Sequence, residues 1–318
     1  MKKLDYKNTN LVAFGDSFTF GQGIYPIPDE GKSDIQLRWR EKSNNVSYAK
    51  IVSNICNFKS YENYGIPGNS NNGMLNNIRS YYENNKTNKD VFYLIGLTHP
   101  DRDFMMRYID HCEMYDSYNF SWNNWLIGVK ENRKRGFDSP LYYNISKRTM
   151  EEWLSHYWNN FTVTLKHTEF YFSLIDFLES KKLNYAIVDL INDVPYRIEQ
   201  CNILEKIENK GWLGLFEETY DFTPQISMYV DSIKNNKLYL NWHNLQNYDT
   251  FPTTNIKTRA SSFMNINHII HEYGIVRYKD VNHLLSTLPN DRHWNKLGNK
   301  LAGQTVAEFI LKNYEDKK

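Results

Sequence analysis

Near its N-terminus the chain reads Asn10-Leu11-Val12-Ala13-Phe14-Gly15-Asp16-Ser17, a short apolar run that ends in a tight polar turn. The run at 10–14 predicts a buried strand, and the glycine that follows allows the backbone to turn sharply. A serine on the turn after a first strand is placed to act as a nucleophile. This stretch therefore predicts the start of a sheet and marks Ser17 as a candidate reactive residue.

Further apolar runs predict more strands. The chain is continuously apolar over Val91-Phe92-Tyr93-Leu94-Ile95, as expected for a strand that is buried on both faces of a parallel sheet. A similar run lies at 185–188. A shorter strand is predicted at 60–64, because it precedes the turn cluster Gly65-Ile66-Pro67-Gly68-Asn69-Ser70.

Helical patterns alternate with these strands. Apolar residues at helical spacing predict helices at 72–84, 170–178 and 296–313, and another whose inward face comprises Tyr48, Ile51, Val52, Ile55 and Phe58. Asn44 or Asn45 is predicted to cap this last helix. The alternation of buried strands with amphipathic helices predicts a doubly wound α/β sheet.

Two segments do not fit the alternation and are predicted to be insertions in a single domain that spans residues 1–318. The segment 100–165 is rich in aromatic residues and holds four of the eight tryptophans: Trp122, Trp125, Trp153 and Trp158. These side chains would form the core of the insertion, which is the favoured interpretation, or stack on sugar rings. The segment 196–275 is the second predicted insertion.

The composition excludes several classes of protein. The formal net charge is +1, so bulk electrostatics predict binding neither to nucleic acid nor to an anionic membrane. No apolar run approaches the roughly 18 residues of a membrane helix, and polar residues interrupt the N-terminal stretch where a signal peptide needs its apolar segment. We therefore expect a protein that acts in the cytoplasm, or one that leaves the cell without a leader or within a virus particle. The three widely spaced cysteines predict neither a disulfide framework nor a zinc site.

A second informative stretch lies near the other end of the chain. It reads Asp291-Arg292-His293-Trp294-Asn295, directly before the last predicted helix. A serine hydroxyl is a weak nucleophile until a base removes its proton, and histidine is such a base near neutral pH. Asp291 is placed to accept a hydrogen bond from the other ring nitrogen and to fix the tautomer. Ser17, His293 and Asp291 thus form a predicted triad.

These blocks resemble those of the SGNH (GDSL-type) hydrolase family. The resemblance rests on Gly15-Asp16-Ser17-Phe18, on Asn63-Tyr64-Gly65-Ile66-Pro67-Gly68-Asn69-Ser70 and on Asp291-Arg292-His293-Trp294-Asn295-Lys296-Leu297-Gly298. It implies a three-layer α/β/α fold with a flavodoxin-like parallel sheet, and ester hydrolysis through an acyl-enzyme with no metal or organic cofactor. It also implies that Ser17 is the nucleophile, His293 the general base and Asp291 its orienting partner. The backbone N–H groups of Ser17 and Gly68 would donate to the oxyanion.

The third block departs from the family pattern. Where the family has Gly-x-Asn-Asp, this chain reads Gly96-Leu97-Thr98-His99. Thr98 therefore stands where an asparagine would complete the oxyanion hole, and either its hydroxyl or the His99 side chain would take that place. Loss of one oxyanion donor typically costs about 10²–10³ in rate. The alternative function is therefore a catalytically weak or inactive binding or structural protein with the same fold.

The substrate implied by the resemblance is an acyl ester of a small molecule or a glycan. The aromatic insertion favours O-acetyl groups on carbohydrate. An acyltransferase with the same acyl-enzyme would have the same sequence features. The sequence indicates neither the acyl group, nor the alcohol, nor the oligomeric state.

Several candidate residues also have simpler interpretations. Ser17 would cap a helix, Asp16 would stiffen its own turn, and Gly68 would be the left-handed residue of a turn. The segment His268-Ile269-Ile270-His271-Glu272 lacks the order of a zinc-protease motif and is interpreted as a helical surface. The glycines between Gly15 and Gly23 fit no nucleotide-binding pattern, so that function is disfavoured.

Overall fold

A parallel sheet with helices on both faces forms the centre of the computed structural model, which describes residues 2–22, 41–88, 90–98, 100, 102–109, 114–121, 160–189, 223–240 and 296–316. The strands are β1 (Lys2–Leu4), β2 (Asn10–Gly15), β3 (Ser60–Gly65), β4 (Val91–Gly96), β5 (Arg102–Ile109), β6 (Met114–Ser121), β7 (Asn184–Val188), β8 (Tyr239–Leu240) and β9 (Tyr314–Asp316). The main helices are α1 (Ser17–Phe20), α2 (Tyr48–Cys56), α3 (Asn71–Asn84), α4 (Asn160–Ser180), α5 (Thr223–Asn235) and α6 (Lys296–Asn313).

The central sheet has the strand order β3-β2-β4-β7-β8, and all of its neighbouring strands are parallel. Counted along the chain within this sheet, the order is 2-1-3-4-5, which is the flavodoxin-like order. Gly15 is aligned with Gly65, and Phe14 with Ile95, so β2, β3 and β4 end at one edge. The predicted flavodoxin-like sheet is confirmed.

Adjacent residues of β4 show that helices cover both faces of the sheet. Tyr93 stacks on Phe14 at 6.0 Å between ring centroids, and Tyr81 of α3 meets the Tyr93 ring edge-on at 6.1 Å. Phe92 points to the opposite face, as successive strand residues do. There it contacts Phe58, just after α2, and Tyr314, just after α6, at 5.3 and 5.2 Å. The three-layer α/β/α arrangement is therefore confirmed.

The apolar strands lie where the sequence predicts them, while the details of one helix differ. All six residues of β4 are buried, and so are the last five of β2. The cap of α2 is Ser47, whose hydroxyl oxygen accepts a hydrogen bond from the Lys50 N–H at 3.3 Å, so the prediction of Asn44 or Asn45 was wrong. Ile55 is 46% exposed instead of facing inward.

Parts of the two predicted insertions belong to regular structure. Within 100–165, β5 and β6 form an antiparallel pair, and α4 begins before the segment ends. Within 196–275, α5 leads to β8, which is the fifth strand of the central sheet. The segment 196–275 therefore contributes one strand to the central sheet. The tryptophans of the first segment, and the segment 268–272, lie outside the described residues.

The hydroxyl group of Tyr314 completes the hydrogen bonding of β7. The Tyr185 N–H donates to this hydroxyl oxygen at 3.2 Å, and the hydroxyl donates to the Tyr185 carbonyl oxygen at 2.9 Å. Because β8 pairs with β7 only from Ile187 onward, the hydroxyl takes the place of a neighbouring strand at Tyr185. Tyr314 also begins β9, which pairs in parallel with β1.

None of the described helices combines the length and apolar character needed to cross a membrane.

Candidate active site

The turn after β2 presents Ser17 as the first residue of α1. Asp16 is the cap of this helix, because its Oδ1 accepts a hydrogen bond from the Phe18 N–H at 2.9 Å. The interpretation of Ser17 as the cap was therefore wrong, and that of Asp16 as a residue that stiffens the turn is confirmed. Ser17 is 3% exposed, so it is buried at the end of β2 and does not lie on an open surface.

Two glycines allow α1 to pack directly against the ends of β2 and β4. A Cβ atom on Gly15 would lie 2.0 Å from Thr19 Oγ1, and one on Gly96 would lie 2.5 Å from both Thr19 Oγ1 and the Tyr48 hydroxyl. The Thr19 and Tyr48 hydroxyls share a hydrogen bond at 3.1 Å. No larger residue fits at either glycine unless this cluster moves, which fixes Ser17 close to both strands.

The second sequence block closes around the same turn. Asn63 donates from Nδ2 to the Thr19 carbonyl oxygen at 2.8 Å and accepts at Oδ1 from the Gly65 N–H at 2.8 Å. The Gly15 carbonyl oxygen accepts hydrogen bonds from the Ile66 N–H at 3.1 Å and from Asn69 Nδ2 at 3.2 Å. The end of β3 is thus tied to the residues on both sides of Ser17.

Gly68 occupies the exposed tip of the turn that follows β3. Its φ angle is +78°, so it is the left-handed residue that the simpler interpretation predicted. Among the residues that the structure describes, none accepts a hydrogen bond from the Gly68 N–H. The turn conformation leaves a candidate oxyanion donor available, so the structural and functional interpretations of Gly68 are compatible.

The third block contacts the first through side chains. The Thr98 hydroxyl donates to Asp16 Oδ2 at 2.7 Å. Asn71, the first residue of α3, accepts from the Thr98 N–H at 2.9 Å and donates from Nδ2 to the Thr98 carbonyl oxygen at 3.2 Å. The structure thus brings together three blocks that the sequence only placed in order. The sequence analysis did not single out Asn71, although this residue directly follows the turn cluster Gly65-Ile66-Pro67-Gly68-Asn69-Ser70.

The helix after the Asp-x-His block packs on α2, which in turn contacts α1. Asp291, His293 and His99 lie outside the described residues. In the sequence, α6 begins three residues after His293. Asn299 of α6 accepts a hydrogen bond from the Tyr48 N–H at 2.9 Å, at the start of α2. The Tyr48 hydroxyl contacts Thr19 of α1, so Tyr48 is bound to α6 through its backbone and to α1 through its side chain.

The Tyr48 hydroxyl near the turn is suited to hydrogen bonding and not to acid–base chemistry. Burial is the main cause that raises the pKa of Tyr48; the hydrogen bond with Thr19 opposes this effect, and the charge of Asp16 adds to it. The Tyr48 hydroxyl therefore keeps its proton at neutral pH. Within the described ranges, no group of three or more His, Cys, Asp or Glu side chains is arranged to hold a metal ion.

Comparison with known proteins finds similarity only at the level of solved structures. No protein-family description and no curated protein matches the chain. A member of the lipolytic protein G-D-S-L family from Veillonella parvula is 11% identical, with a TM-score of 0.35 and coverage of 94% of this chain and 97% of the other. The acetyl xylan esterase AlAXEase is 11% identical, with a TM-score of 0.33 and coverage of 93% of this chain and 97% of the other. The lipase Lip_vut3 from a goat rumen metagenome is 10% identical, with a TM-score of 0.35 and coverage of 95% of this chain and 97% of the other. At these values the likenesses establish no activity for this chain, and the fold rests on the strand order.

Proposed function

We propose that the chain is a serine hydrolase that cleaves acyl esters through an acyl-enzyme on Ser17. The observation that carries the proposal is the convergence of three sequence blocks on the turn that holds Ser17. Thr98 donates to Asp16 at 2.7 Å, and Asn69 donates to the Gly15 carbonyl oxygen at 3.2 Å. The turn lies where β2 ends beside β3 and β4, which is the switch point at which flavodoxin-like sheets bind their ligands.

In the proposed mechanism, Ser17 Oγ attacks the ester carbonyl carbon while His293 removes its proton. His293 then gives this proton to the leaving alcohol, and Asp291 holds the imidazole in the required tautomer. Water, activated by His293, hydrolyses the acyl-enzyme and releases the acid. The route uses only groups of the protein and water, so it requires no metal or organic cofactor.

The proposed oxyanion donors are the backbone N–H groups of Ser17 and Gly68, with the Thr98 or His99 side chain as a third. The Gly68 N–H lacks an acceptor among the described residues, which supports its role. The single hydroxyl proton of Thr98 is donated to Asp16. An oxyanion role for Thr98 would require this proton to be redirected, so we favour His99 as the third donor.

For the substrate, we propose an acyl ester of a small molecule or glycan, with O-acetylated carbohydrate as the first class to screen. The aromatic segment 100–165 is the feature that favours carbohydrate. Transfer of the acyl group to an alcohol in place of water would use the same residues.

The second candidate function is a binding or structural protein with weak or no catalysis. Two observations favour it: Thr98 stands in place of the family asparagine, and the Ser17 side chain is almost fully buried. Substrate access to Ser17 is therefore the point that separates the two functions.

The test measures hydrolysis of p-nitrophenyl acetate at pH 7–8 by the wild-type protein, Ser17→Ala, His293→Ala and the control Ser53→Ala. Ser53 is also 3% exposed but lies in α2, away from the turn. We expect the Ser17 and His293 variants to lose at least about 10³-fold in kcat and the control to keep its rate.

Labelling with a fluorophosphonate probe, followed by peptide mapping, then identifies the reactive residue. A wild-type protein that neither turns over the ester nor is labelled at Ser17 would contradict the hydrolase proposal and favour the binding protein.

A further inference from the structure

The geometry points to Thr98 as a positioning residue that acts on Ser17 through the carboxylate of Asp16. This inference rests on the proposed function, because it assigns Thr98 a role in the reaction of Ser17. It differs from the oxyanion role considered for Thr98, since the hydroxyl would contact neither the substrate nor the reacting atoms.

Both oxygens of the Asp16 carboxylate are held, and by different elements. Oδ1 accepts from the Phe18 N–H in α1 at 2.9 Å, and Oδ2 accepts from the Thr98 hydroxyl, beyond β4, at 2.7 Å. The second distance is in the range of a charge-assisted O–H···O⁻ hydrogen bond. Asp16 is 1% exposed, so loss of the Thr98 hydroxyl would remove a hydrogen-bond donor from a buried carboxylate.

Ser17 lies between the two groups that this carboxylate connects. The residue before it provides the carboxylate, and the residue after it provides the N–H that the carboxylate binds. The orientation of the Ser17 backbone, and of its Oγ, therefore depends on the position of the Asp16 side chain. The Thr98 hydroxyl is a group from outside the turn that binds this side chain.

Thr98 is itself anchored and can serve as a fixed point. Its backbone N–H and carbonyl oxygen exchange hydrogen bonds with the Asn71 side chain at 2.9 and 3.2 Å. Asn71 begins α3, whose cap Ser70 accepts from the Gly73 N–H at 3.1 Å. The position of Asp16 is thus set by β4 and α3, two elements that do not belong to the Ser17 turn.

The first experiment compares Thr98→Val, which keeps the shape but removes the hydroxyl, with Thr98→Ser, which keeps the hydroxyl. Thr168→Val is the matched control: Thr168 is 1% exposed and donates its hydroxyl to the Thr164 carbonyl oxygen at 2.8 Å in α4. The readouts are kcat and KM for p-nitrophenyl acetate and the rate of fluorophosphonate labelling of Ser17.

We expect Thr98→Val to lower kcat and the labelling rate by about 10- to 100-fold, with KM changed less than about twofold, because a small misplacement of a reacting group acts on kcat. Thr98→Ser, which keeps the hydroxyl, should recover most of both losses, and Thr168→Val should stay close to wild type. If Thr98→Val labels as fast as wild type, the positioning role is wrong while the hydrolase proposal stands. If the wild-type protein itself is not labelled, the proposed function fails and the positioning role fails with it.

A double-mutant cycle with Asp16→Ala separates positioning from direct donation to the oxyanion. If Thr98 acts through Asp16, then adding Thr98→Val to Asp16→Ala lowers kcat by less than about twofold further. If Thr98 donates to the oxyanion, the two losses multiply, and that result overturns the inference. Asp16→Asn, which keeps the size of the side chain, replaces Asp16→Ala if circular dichroism shows that the latter does not fold.

Discussion

At the scale of single residues, the conformation and packing of the Ser17 turn and of the turn after β3 depend on glycines. Gly15 has no side chain, and Thr19 Oγ1 occupies the space where its Cβ would be. Gly68 is different, because no atom lies within 4 Å of its Cβ position, but its φ of +78° disfavours other residues. The two glycines are thus required for different reasons, one for space and one for backbone conformation.

This difference predicts unequal effects of the same substitution. We expect Gly15→Ala to lower the free energy of unfolding by about 1–3 kcal/mol, because the added methyl group overpacks a cluster held by the hydrogen bond between Thr19 and Tyr48. Gly68→Ala should cost about 1 kcal/mol through backbone strain alone. Urea denaturation measures both values. A Gly15→Ala variant as stable as wild type would contradict the close packing of α1 on β2.

At the scale of elements, α2 and α6 pack closely against each other. The Asn299 side chain caps the start of α2 from outside, by accepting from the Tyr48 N–H at 2.9 Å. Farther along, a Cβ on Gly303 would lie 2.6 Å from Ile51 Cβ, so the two helices approach closely. A buried asparagine and a glycine thus set the position of the helix that follows His293 in the sequence.

The cap from Asn299 predicts a measurable loss when it is removed. Asn299→Ala should lower the free energy of unfolding by about 1–2 kcal/mol, because a buried N–H at the start of α2 loses its acceptor. Lys300→Ala is the control, since this exposed neighbour in α6 makes no such contact with α2. Thermal or urea unfolding of the two variants gives the comparison, and equal stabilities would show that the cap contributes nothing.

At the scale of the whole molecule, buried tyrosines link stability to alkaline pH. Burial is the main cause that raises the pKa of tyrosines in every layer of the fold, namely Tyr48, Tyr61, Tyr81, Tyr93, Tyr171, Tyr185, Tyr239 and Tyr314. For Tyr81 the pKa rises to about 12. Since the unfolded value is near about 10, the fold binds these protons more tightly than the unfolded chain does.

The sign of this linkage predicts alkaline unfolding. The contribution of these tyrosines to stability is complete below about pH 10 and decreases as the pH rises toward their folded pKa values. We expect tyrosinate absorbance and the loss of circular dichroism to change together above about pH 10. Tyr81→Phe, which keeps the ring packed against Phe14 and Tyr93, should make stability fall less steeply between pH 10 and 12. An unchanged slope would contradict the raised pKa of Tyr81.

The sequence alone predicted the strands and helices whose buried residues form a recognisable apolar pattern along the chain. Continuous apolar runs predicted the strands near 10–14, 91–95 and 185–188, and helical spacing of apolar residues predicted the helix at 296–313. These predictions succeed because the apolar side chains of each element pack into the core. The order of the blocks also predicted which turn would hold the candidate nucleophile.

The tertiary structure alone decided the remaining features, because they depend on partners far away in the sequence. β8 has only two residues, too few for a pattern, and it is a strand because β7 pairs with it. The bond between Thr98 and Asp16 joins residues 82 positions apart, and that between Asn299 and Tyr48 joins residues 251 apart. No local period encodes such contacts; they form only once the parallel strands align their ends at one edge and the helices pack against the sheet.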